Sequence, residues 1–350
     1  MSKLMKKDFK IVENFGGLAL ISIMIILAGI FCMLAFGGLN LGIDYEGGAK
    51  VEIELTKSIE TAGYEKDFEA EMTEFITKEN KYSISDKMQK SPLSGGTGFT
   101  YEFRLNYVYD GKNMGASEQS QQEFIQLLNG DNKNADDQGF RGMLEDKVRE
   151  YLDSKGLIEE YDEGCVRITV IGASSSKSLI NSTILAIILA LVAILVYIII
   201  RFTLSSGIAA FCGLLHDVLI MVCLTAMFQI PVNMTFIAAV ITIIGYSINA
   251  SIVIFDKVRE CLKSAAFAQA SDTEIANYAI KHSLVKILLS TLTTLIMVVA
   301  LVLYSVSTIQ EFIIPIIFGL VAGTFSALCL TPSLWVAYRK IGAKIKKKKA

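Results

Sequence analysis

Six long apolar stretches constrain the fold of this 350-residue chain more than any other feature of its sequence. Crossing the hydrocarbon core of a bilayer takes about 20 residues of helix, and each stretch is long enough to do so: residues 15–36, 179–200, 207–228, 232–255, 284–304 and 312–338. These stretches are apolar around the whole circumference of a helix, whereas surface helices of soluble proteins alternate a polar and an apolar face. The sequence therefore predicts a multi-pass α-helical membrane protein with six transmembrane helices.

The distribution of charge predicts how these helices are oriented. Residues 1–14 contain four lysines against two acidic residues, and residues 339–350 contain seven basic residues and no acidic one. Residues 37–176, between the first two apolar stretches, contain 27 acidic and 15 basic residues, a net charge of −12. Because basic segments stay on the cytoplasmic side of a membrane, we expect both termini in the cytoplasm and residues 37–176 outside it. We expect the basic tail to bind anionic lipid head groups and no nucleic acid.

Residues 37–176 are long enough to form a domain of their own. Alternation of apolar and polar residues predicts strands at 51–55, 99–105 and 166–170. Apolar residues at helical spacing predict helices at 64–79, 118–129 and 139–155. Segments rich in Gly, Ser and Asn predict loops at 90–98 and 110–116. Together these patterns predict an extracytoplasmic α+β domain, with helices on one side of an antiparallel sheet.

The stretch GIDYEGG, residues 42–48, joins the first apolar stretch to the first predicted strand. A glycine-rich turn can hold phosphate where it opens a helix, but this one leads into a strand and contains acidic residues, among them Asp44, that would repel phosphate. We interpret it as a hinge to the external domain, in which Gly47 and Gly48 supply backbone angles that other residues avoid.

Residue types that carry catalysis or bind metals are scarce. The chain has two histidines, and neither lies within residues 37–176, which excludes Ser-His and Cys-His pairs from that segment. One of the six cysteines, Cys165, lies in the segment, and those in the apolar stretches lack the spacing of a metal site. We therefore expect no enzymatic activity, no metal and no cofactor, and we interpret the external domain as a binding module.

Polar residues inside the apolar stretches are candidates for function, because an ionisable side chain at the centre of a membrane helix costs about 2.5–3.5 kcal/mol. The ionisable ones are Asp217 in the third stretch, Asp256 at the end of the fourth and Lys286 in the first turn of the fifth. At 100° per residue, two polar stripes accompany them: Gly245, Tyr246 and Asn249 in line with Asp256, and Ser290 and Thr293 in line with Lys286. Such stripes can line a hydrated path, or they can be small and hydroxyl-bearing residues that pack helices together. The sequence leaves both interpretations open.

Five sequence blocks, in order along the chain, resemble the signature blocks of a known family. They are GLNLGIDYEGGAKVEIEL after the first apolar stretch, LLHDVLI in the third, TIIGYSINASIVIFDKVRE in the fourth, STLTTL in the fifth and IFGLVAGTFSA in the sixth. They are similar to those of the SecF family, six-span proteins that join SecD beside the bacterial SecYEG channel. The external domain looks longer than is usual in the family, with residues 90–98 and 110–137 as the expected insertions.

The resemblance implies a fold and a function. The fold is a six-helix bundle like half of a resistance-nodulation-division (RND) transporter, in the plasma membrane of a bacterium. The function is an auxiliary role in protein export, in which SecD and this subunit use the transmembrane ion gradient to help draw an unfolded polypeptide outward. The implied partners are SecD, the SecYEG channel and the translocating polypeptide.

One position departs from the family pattern. The family usually has an ion-coupling Asp in the fourth span, and the matching position here is Ala250, which cannot take up a proton. The usual Arg of the fifth span aligns with Lys286, and a buried cation is costly to keep once its counter-ion is lost. Coupling is therefore expected to depend on SecD, to use Asp217 or Asp256, or to be absent.

Two other functions compete with export. An RND-type small-molecule efflux half-transporter is the main alternative, because the spans resemble that superfamily, and it predicts loss of drug resistance on deletion. A membrane-anchored receptor would need a cytoplasmic signalling domain, for which the short internal segments leave no room.

Overall fold

The structure is a computed structural model that describes residues 11–55, 63–85, 88–92, 99–115, 117–130, 139–157, 164–304 and 307–349. The helices of this part of the chain are α1 (Phe15–Phe36), α2 (Ile43–Glu46), α3 (Glu65–Glu74), α4 (Glu118–Asn129), α5 (Gly139–Ser154), α6 (Ala173–Arg201), α7 (Leu204–Met227), α8 (Met234–Lys263), α9 (Asp272–Tyr304), α10 (Ser307–Phe325) and α11 (Thr331–Lys349). The strands are β1 (Gly48–Leu55), β2 (Tyr82–Ile84), β3 (Gln89–Pro92), β4 (Phe99–Tyr109), β5 (Lys112–Asn113) and β6 (Val166–Ile171). The chain divides into two units, a helical bundle and the domain formed mainly by residues 41–182.

In the part of the chain that the structure describes, six helices of the bundle are long and apolar enough to cross a membrane, as the sequence predicts. Five of them are α1, α6, α7, α8 and α9, and the sixth runs from Ile309 to Lys344 through α10 and α11. A π-helical turn, Ser326–Leu330, separates α10 from α11, so the last span is not one regular helix. Residues 1–10 of the expected N-terminal segment and residue 350 of the basic tail lie outside the described residues, whereas α11 continues through the tail to Lys349.

Two of the membrane helices extend well beyond their apolar stretches. Helix α8 continues to Lys263, eight residues past the predicted end, and α9 begins at Asp272, twelve residues before the predicted start. Both extensions are amphipathic: Val258 on α8 and Ala276 on α9 are buried, while charged residues cover the other faces. Hydropathy marks only the part of a helix that is apolar all round, and for this reason it missed both extensions.

The external domain contains an antiparallel sheet with the strand order β2-β4-β1-β6. All three predicted strands are present, and β3 and β5 also pair with β4.

The predicted loop at 90–98 is wrong for residues 90–92, which belong to β3, and its residues 93–98 lie outside the described residues. The predicted loop at 110–116 is wrong for residues 112–113, because β5 folds back on β4 through a turn at Asp110 and Gly111. Residues 116 and 131–137, in the expected loop and insertion, also lie outside the described residues. Strands as short and polar as β3 and β5 show no alternation, so only pairing with β4 reveals them.

Helices α3, α4 and α5 pack against one face of the sheet. Alternate residues of β1, from Ala49 to Leu55, are fully buried together with Phe68 of α3, Phe124 of α4 and Phe140 of α5. The helices at 64–79, 118–129 and 139–155 are therefore confirmed to within two residues, although residues 75–79 form a π-helical turn. Their placement on one side of an antiparallel sheet is confirmed as well.

The opposite face of the sheet carries a network of ion pairs. Lys50 Nζ lies 2.7 Å from Glu52 Oε1 and 2.9 Å from Glu102 Oε2, and Arg104 Nε donates to Glu102 Oε1 at 2.9 Å. Glu102 and Arg104 are each only 6% exposed. Burial alone lowers the pKa of Lys50, but hydrogen bonds to Glu52 and Glu102 more than reverse this effect, so the pKa lies above its ordinary value.

The stretch between α1 and β1 has the backbone angles expected of it. Gly47 has a φ of +76° and Gly48 a φ of +151°, both in the region that favours glycine. A Cβ at Gly48 would also collide with the carbonyl oxygen of Leu105, so the pair allows β1 to approach β4 directly after the one-turn helix α2. Asp44 belongs to that turn. A hinge motion at this point stays a prediction.

Candidate functional site: two polar groups in the bundle

Polar side chains of the bundle meet in two places, on two faces of α8. We call Asp217, His216, Ser247 and Ser326 the inner cluster, and Asn249, Lys286 and Ser290 the outer stripe. Ser247 lies in the buried interior, whereas Asn249, two residues later, is exposed. The single polar patch that the sequence indicates in the fourth span is thus divided between two environments.

Asp217 is the centre of the inner cluster, and its side chain is completely buried. Ser247 Oγ of α8 and Ser326 Oγ of the π-helical turn both donate to Asp217 Oδ2, the latter at 2.8 Å. His216 Nδ1 lies 2.9 Å from Asp217 Oδ1. Hydrogen bonds to a charged group stabilise it by about 1.5–3 kcal/mol each, so three helical segments together offset the burial of one carboxyl group.

Glycine makes this close approach possible. A Cβ at Gly323 would lie 3.1 Å from Ser247 Cβ and 3.5 Å from Asp217 Oδ2, and one at Gly319 would overlap the side chain of Ile243. The two glycines are four residues apart and allow α10 to lie directly against α8, a role that small residues commonly have in membrane bundles. They therefore act as packing residues that also position the inner cluster.

The outer stripe borders a small cleft between α8 and α9, with a volume of about 40 Å³. Asn249, Lys286 and Ser290 line it and are exposed, whereas Ala250 lines it and is only 7% exposed. Among the eight lining residues, Lys286 is the one basic side chain, and none of the eight is acidic. The wall of the cleft therefore brings Lys286 and Ala250 together without an acidic side chain among the lining residues.

A chain of hydroxyl groups connects the cleft to the interior. Tyr246 Oη, on the cleft wall, donates to Thr291 Oγ1 at 3.0 Å. Thr291 Oγ1 lies 2.8 Å from Thr324 Oγ1, which donates to the carbonyl oxygen of Leu320. Three helices, α8, α9 and α10, are joined in this way.

Three residues of the two predicted polar stripes do not line the cleft. Gly245 is exposed, with open space around the position of a Cβ. Thr293 is exposed and donates to the carbonyl oxygen of Ser290 on its own helix, so Thr291 lines the cleft in its place. Asp256 forms ion pairs with Arg201 at 3.5 Å and Arg259 at 3.4 Å. The prediction that Asp256 ends the fourth helix is wrong, because α8 continues for two more turns.

Sequence reasoning missed several residues of these groups. Ser247, Ser326, Thr291 and Thr324 are hydroxyl residues of a kind common in any membrane helix, and nothing in the sequence distinguishes them. Glu311 was missed because it lies one residue before the predicted sixth stretch. It is only 6% exposed, and it accepts a hydrogen bond of 2.6 Å from Asn233 Nδ2. A charged residue so near an apolar stretch was the signal that could have identified it.

Metal binding finds no support within the described ranges, where no group of three or more His, Cys, Asp or Glu side chains lies close enough to hold an ion. The external domain has a groove of about 280 Å³ on its surface, between α4, α5 and the strands β2 and β4. Its lining includes Tyr82, Tyr109, Leu127 and Met143, so the groove combines aromatic and aliphatic surface with polar groups.

Comparisons with known proteins agree on one family. Residues 154–341 match the model of the C-terminal region of the SecD/SecF protein export membrane proteins, and residues 33–59 match the SecD/SecF GG motif. The chain is 28% identical to the protein translocase subunit SecDF of Bacillus subtilis over 93% of its own length and 37% of that protein. It is 27% identical to SecF of Cereibacter sphaeroides, with 89% of the chain and 84% of that protein aligned. With SecF of Rickettsia felis the identity is 33%, over 51% of the chain and 58% of that protein.

The fold has a counterpart among solved structures. The crystal structure of SecDF from Thermus thermophilus, described as a translocon-associated membrane protein, superposes with a TM-score of 0.67 at 20% identity. The superposition covers 96% of this chain and 39% of the other, so the chain corresponds to less than half of that protein. None of these relatives is named as a small-molecule transporter.

Proposed function

Because the chain belongs to the SecD/SecF family of protein export membrane proteins, we propose that it is a SecF-like auxiliary subunit of Sec protein export that acts with SecD beside the SecYEG channel. The observation that carries the proposal is the match of more than half of the chain to this family, together with the GG-motif match over residues 33–59, a range that contains Gly47 and Gly48. The efflux alternative lacks a comparable observation.

The outer stripe supports a partner in the membrane. An ionisable residue within a membrane span is costly unless it reaches water or a polar partner, and Lys286, in the first turn of the fifth apolar stretch, is exposed on the bundle beside Asn249 and Ser290. A second bundle that covers this face, with a carboxyl group opposite Lys286, would offset that cost. The alignment with this chain covers 37% of the Bacillus SecDF protein and 39% of the Thermus SecDF chain, so each of those proteins has a further part outside the aligned region. In our proposal SecD corresponds to that part.

The outer stripe also carries our proposal for how the protein is coupled to the ion gradient. Ala250 cannot bind a proton, and Asp256 is held in ion pairs with two arginines. An acidic residue of SecD that faces Lys286 would then form the ion-coupling pair across the interface between the two chains.

The external domain is proposed to bind the translocating, unfolded polypeptide. Its groove between α4 and α5 offers aromatic and aliphatic side chains, with Met143 46% exposed. Such flexible apolar side chains accept varied sequences, which a secreted chain requires. In this arrangement the protein lies in the bacterial plasma membrane with both termini in the cytoplasm, where the basic tail binds anionic lipids at about 1 kcal/mol per basic residue.

Photo-crosslinking tests the partner. A benzophenone amino acid at Asn249, on the outer stripe, is expected to crosslink to SecD in cells that carry both chains. The matched control places it at Leu189 of α6, which is 58% exposed and apolar. Equal crosslinking from both positions, or none from Asn249, would count against the interface.

Depletion of the protein tests the function. Pulse-labelled secretory precursors should accumulate, and sensitivity to small toxic compounds should stay unchanged. Normal export together with a loss of drug resistance would favour the efflux half-transporter instead.

A further inference from the structure

The inner cluster contains the carboxyl group of Asp217, which takes no part in the proposed interface with SecD. Asp217 is wholly buried, and its partners in the described part of the chain are His216, Ser247 and Ser326. The groups that face it from α8 and from the last span are hydroxyls, and His216 on its own helix is the titratable neighbour. A buried carboxylate without a cation depends entirely on hydrogen bonds, and one added proton removes its charge.

We propose that the inner cluster is a proton-binding site inside the membrane bundle, in which Asp217 holds the proton and His216 delivers it. Proton binding at this site does not depend on the proposed export function. Only the use that the protein makes of the proton rests on that function. It is separate from the outer stripe and from Ala250, so it needs no carboxyl group in the usual position of the fourth span.

His216 is placed to pass a proton inward. Since Asp217 Oδ1 accepts, we assign the hydrogen to His216 Nδ1, 2.9 Å away, which leaves the lone pair on Nε2. Nε2 is buried and has no hydrogen-bond partner within the described residues. The imidazole borders an apolar cavity of about 300 Å³ between α1, α7 and α10, where Ser22 is the other polar lining residue. The imidazole ring thus lies between this cavity and Asp217, and the Nε2 lone pair is unused within the described residues.

The transfer is balanced in atoms and charge. A hydronium ion gives its proton to Nε2 and leaves as water, and the imidazole becomes an imidazolium ion. The Nδ1–H bond then breaks, and the proton forms an O–H bond at Oδ1 of Asp217. The products are a neutral imidazole with its hydrogen on Nε2 and a neutral carboxylic acid, so the cluster has gained one proton.

Protonation changes a hydrogen bond at the irregular turn of the last span. Ser326 Oγ lies 2.8 Å from Asp217 Oδ2 and 3.2 Å from the carbonyl oxygen of Gly323. A neutral acid needs fewer donors than a carboxylate, so the Ser326 hydroxyl can turn to Gly323. Ser326 is the first residue of the π-helical turn, and such turns are frequent at functional sites. The proton on Asp217 therefore alters the point at which α10 meets α11.

Infrared difference spectroscopy of the full-length protein in lipid nanodiscs tests the site. Between alkaline and acidic buffer, the carbonyl stretching band of a protonated carboxylic acid should appear, and it should be absent from D217N. The control is E311Q, which removes the other buried carboxyl group in the described part of the bundle and should retain the Asp217 band. In H216Q, exchange of the carboxyl proton for deuterium should be about 100-fold slower, the lower part of the range for a positioned proton-transfer group.

Two results would overturn the proposal. A difference spectrum of D217N identical to that of the unmodified protein would exclude Asp217 as the proton site, and an unchanged exchange rate in H216Q would exclude His216 as the donor. If D217N does not fold, S326A keeps the carboxyl group and must shift the frequency of its band. S333A is the control, because the Ser333 hydroxyl donates to the Cys329 carbonyl oxygen at 2.7 Å, and its loss must leave the frequency of the Asp217 band unchanged. The measurement uses neither SecD nor a secretory chain, so its failure would leave the export function standing.

Discussion

The phenolic hydroxyl of Tyr246 on α8 donates a 3.0 Å hydrogen bond to Thr291 on α9. It is a direct polar link between these two helices, at the wall of the cleft that Lys286 borders. Y246F should therefore lower the free energy of unfolding by about 1 kcal/mol, the net value of one such bond. Urea or thermal unfolding in detergent measures the change. Y197F is the control, because Tyr197 is 49% exposed on α6, and an equal loss there would show that the bond contributes nothing.

Gly29 of α1 and Cys223 of α7 allow the first and third spans to touch. A Cβ at position 29 would overlap the Cβ of Cys223, so G29A should force the helices apart and destabilise the bundle by about 1–3 kcal/mol. Gly16 lies on the same helix with open space around it, and G16A should have little effect. Thermal unfolding of both variants in the same detergent checks the difference, and similar melting temperatures would disprove the close contact.

Gly48 has two reasons to be glycine, and Gly111 has one. Both have positive φ angles, which cost other residues about 1–2 kcal/mol, but only at Gly48 would a Cβ also meet the Leu105 carbonyl. We expect G48A to be clearly more destabilising than G111A. Hydrogen exchange of β1 and β4 in the full-length protein measures this, and equal protection in the two variants would contradict it.

The two glutamates Glu102 and Glu54 lie in ion pairs of different burial. Loss of one partner of a buried pair costs about 3–5 kcal/mol, so E102Q should strongly destabilise the external domain, because Lys50 and Arg104 would lose their shared carboxylate. The pair of Glu54 with Arg167 is exposed and 3.4 Å long, and E54Q should cost about 1 kcal/mol or less. Denaturant unfolding, monitored by limited proteolysis, distinguishes the two variants. A smaller loss of unfolding free energy in E102Q than in E54Q would refute the network.

The stability that Lys50 provides should depend on pH. Its folded pKa lies above the ordinary value of 10.5, so its contribution is complete below about pH 10.5 and is lost as the pH rises through the folded pKa. The difference in unfolding free energy between the unmodified protein and K50M should therefore shrink in alkaline buffer. K78M serves as the control, because Lys78 is 74% exposed in a helical pair. A constant difference for K50M up to alkaline pH would show that the pairing of Lys50 is not what stabilises the folded domain.

The pattern of the sequence was sufficient for features that depend on neighbours in the chain. The six spans follow from runs of apolar residues, because a helix in lipid must satisfy its own backbone and be apolar all round. The helices of the external domain follow from apolar residues three and four positions apart, and β1 and β6 follow from alternation. The turn at Gly47 and Gly48 follows from the freedom of glycine at positive φ.

Contacts between distant segments decided the rest. Tyr246 and Ser247 are adjacent in the chain, yet one borders the cleft and the other donates to Asp217. A residue step of 100° turns neighbours to different faces, and only the positions of α7, α9 and the last span show what each face meets. The pairing of β3 and β5 with β4, and of Ser326 with Asp217 across 109 residues, likewise depends on packing. By itself the sequence determined which segments cross the membrane, because hydropathy is a property of each segment alone. Only the tertiary structure decided which polar groups meet inside it, because a hydrogen bond requires two atoms to be brought within about 3 Å.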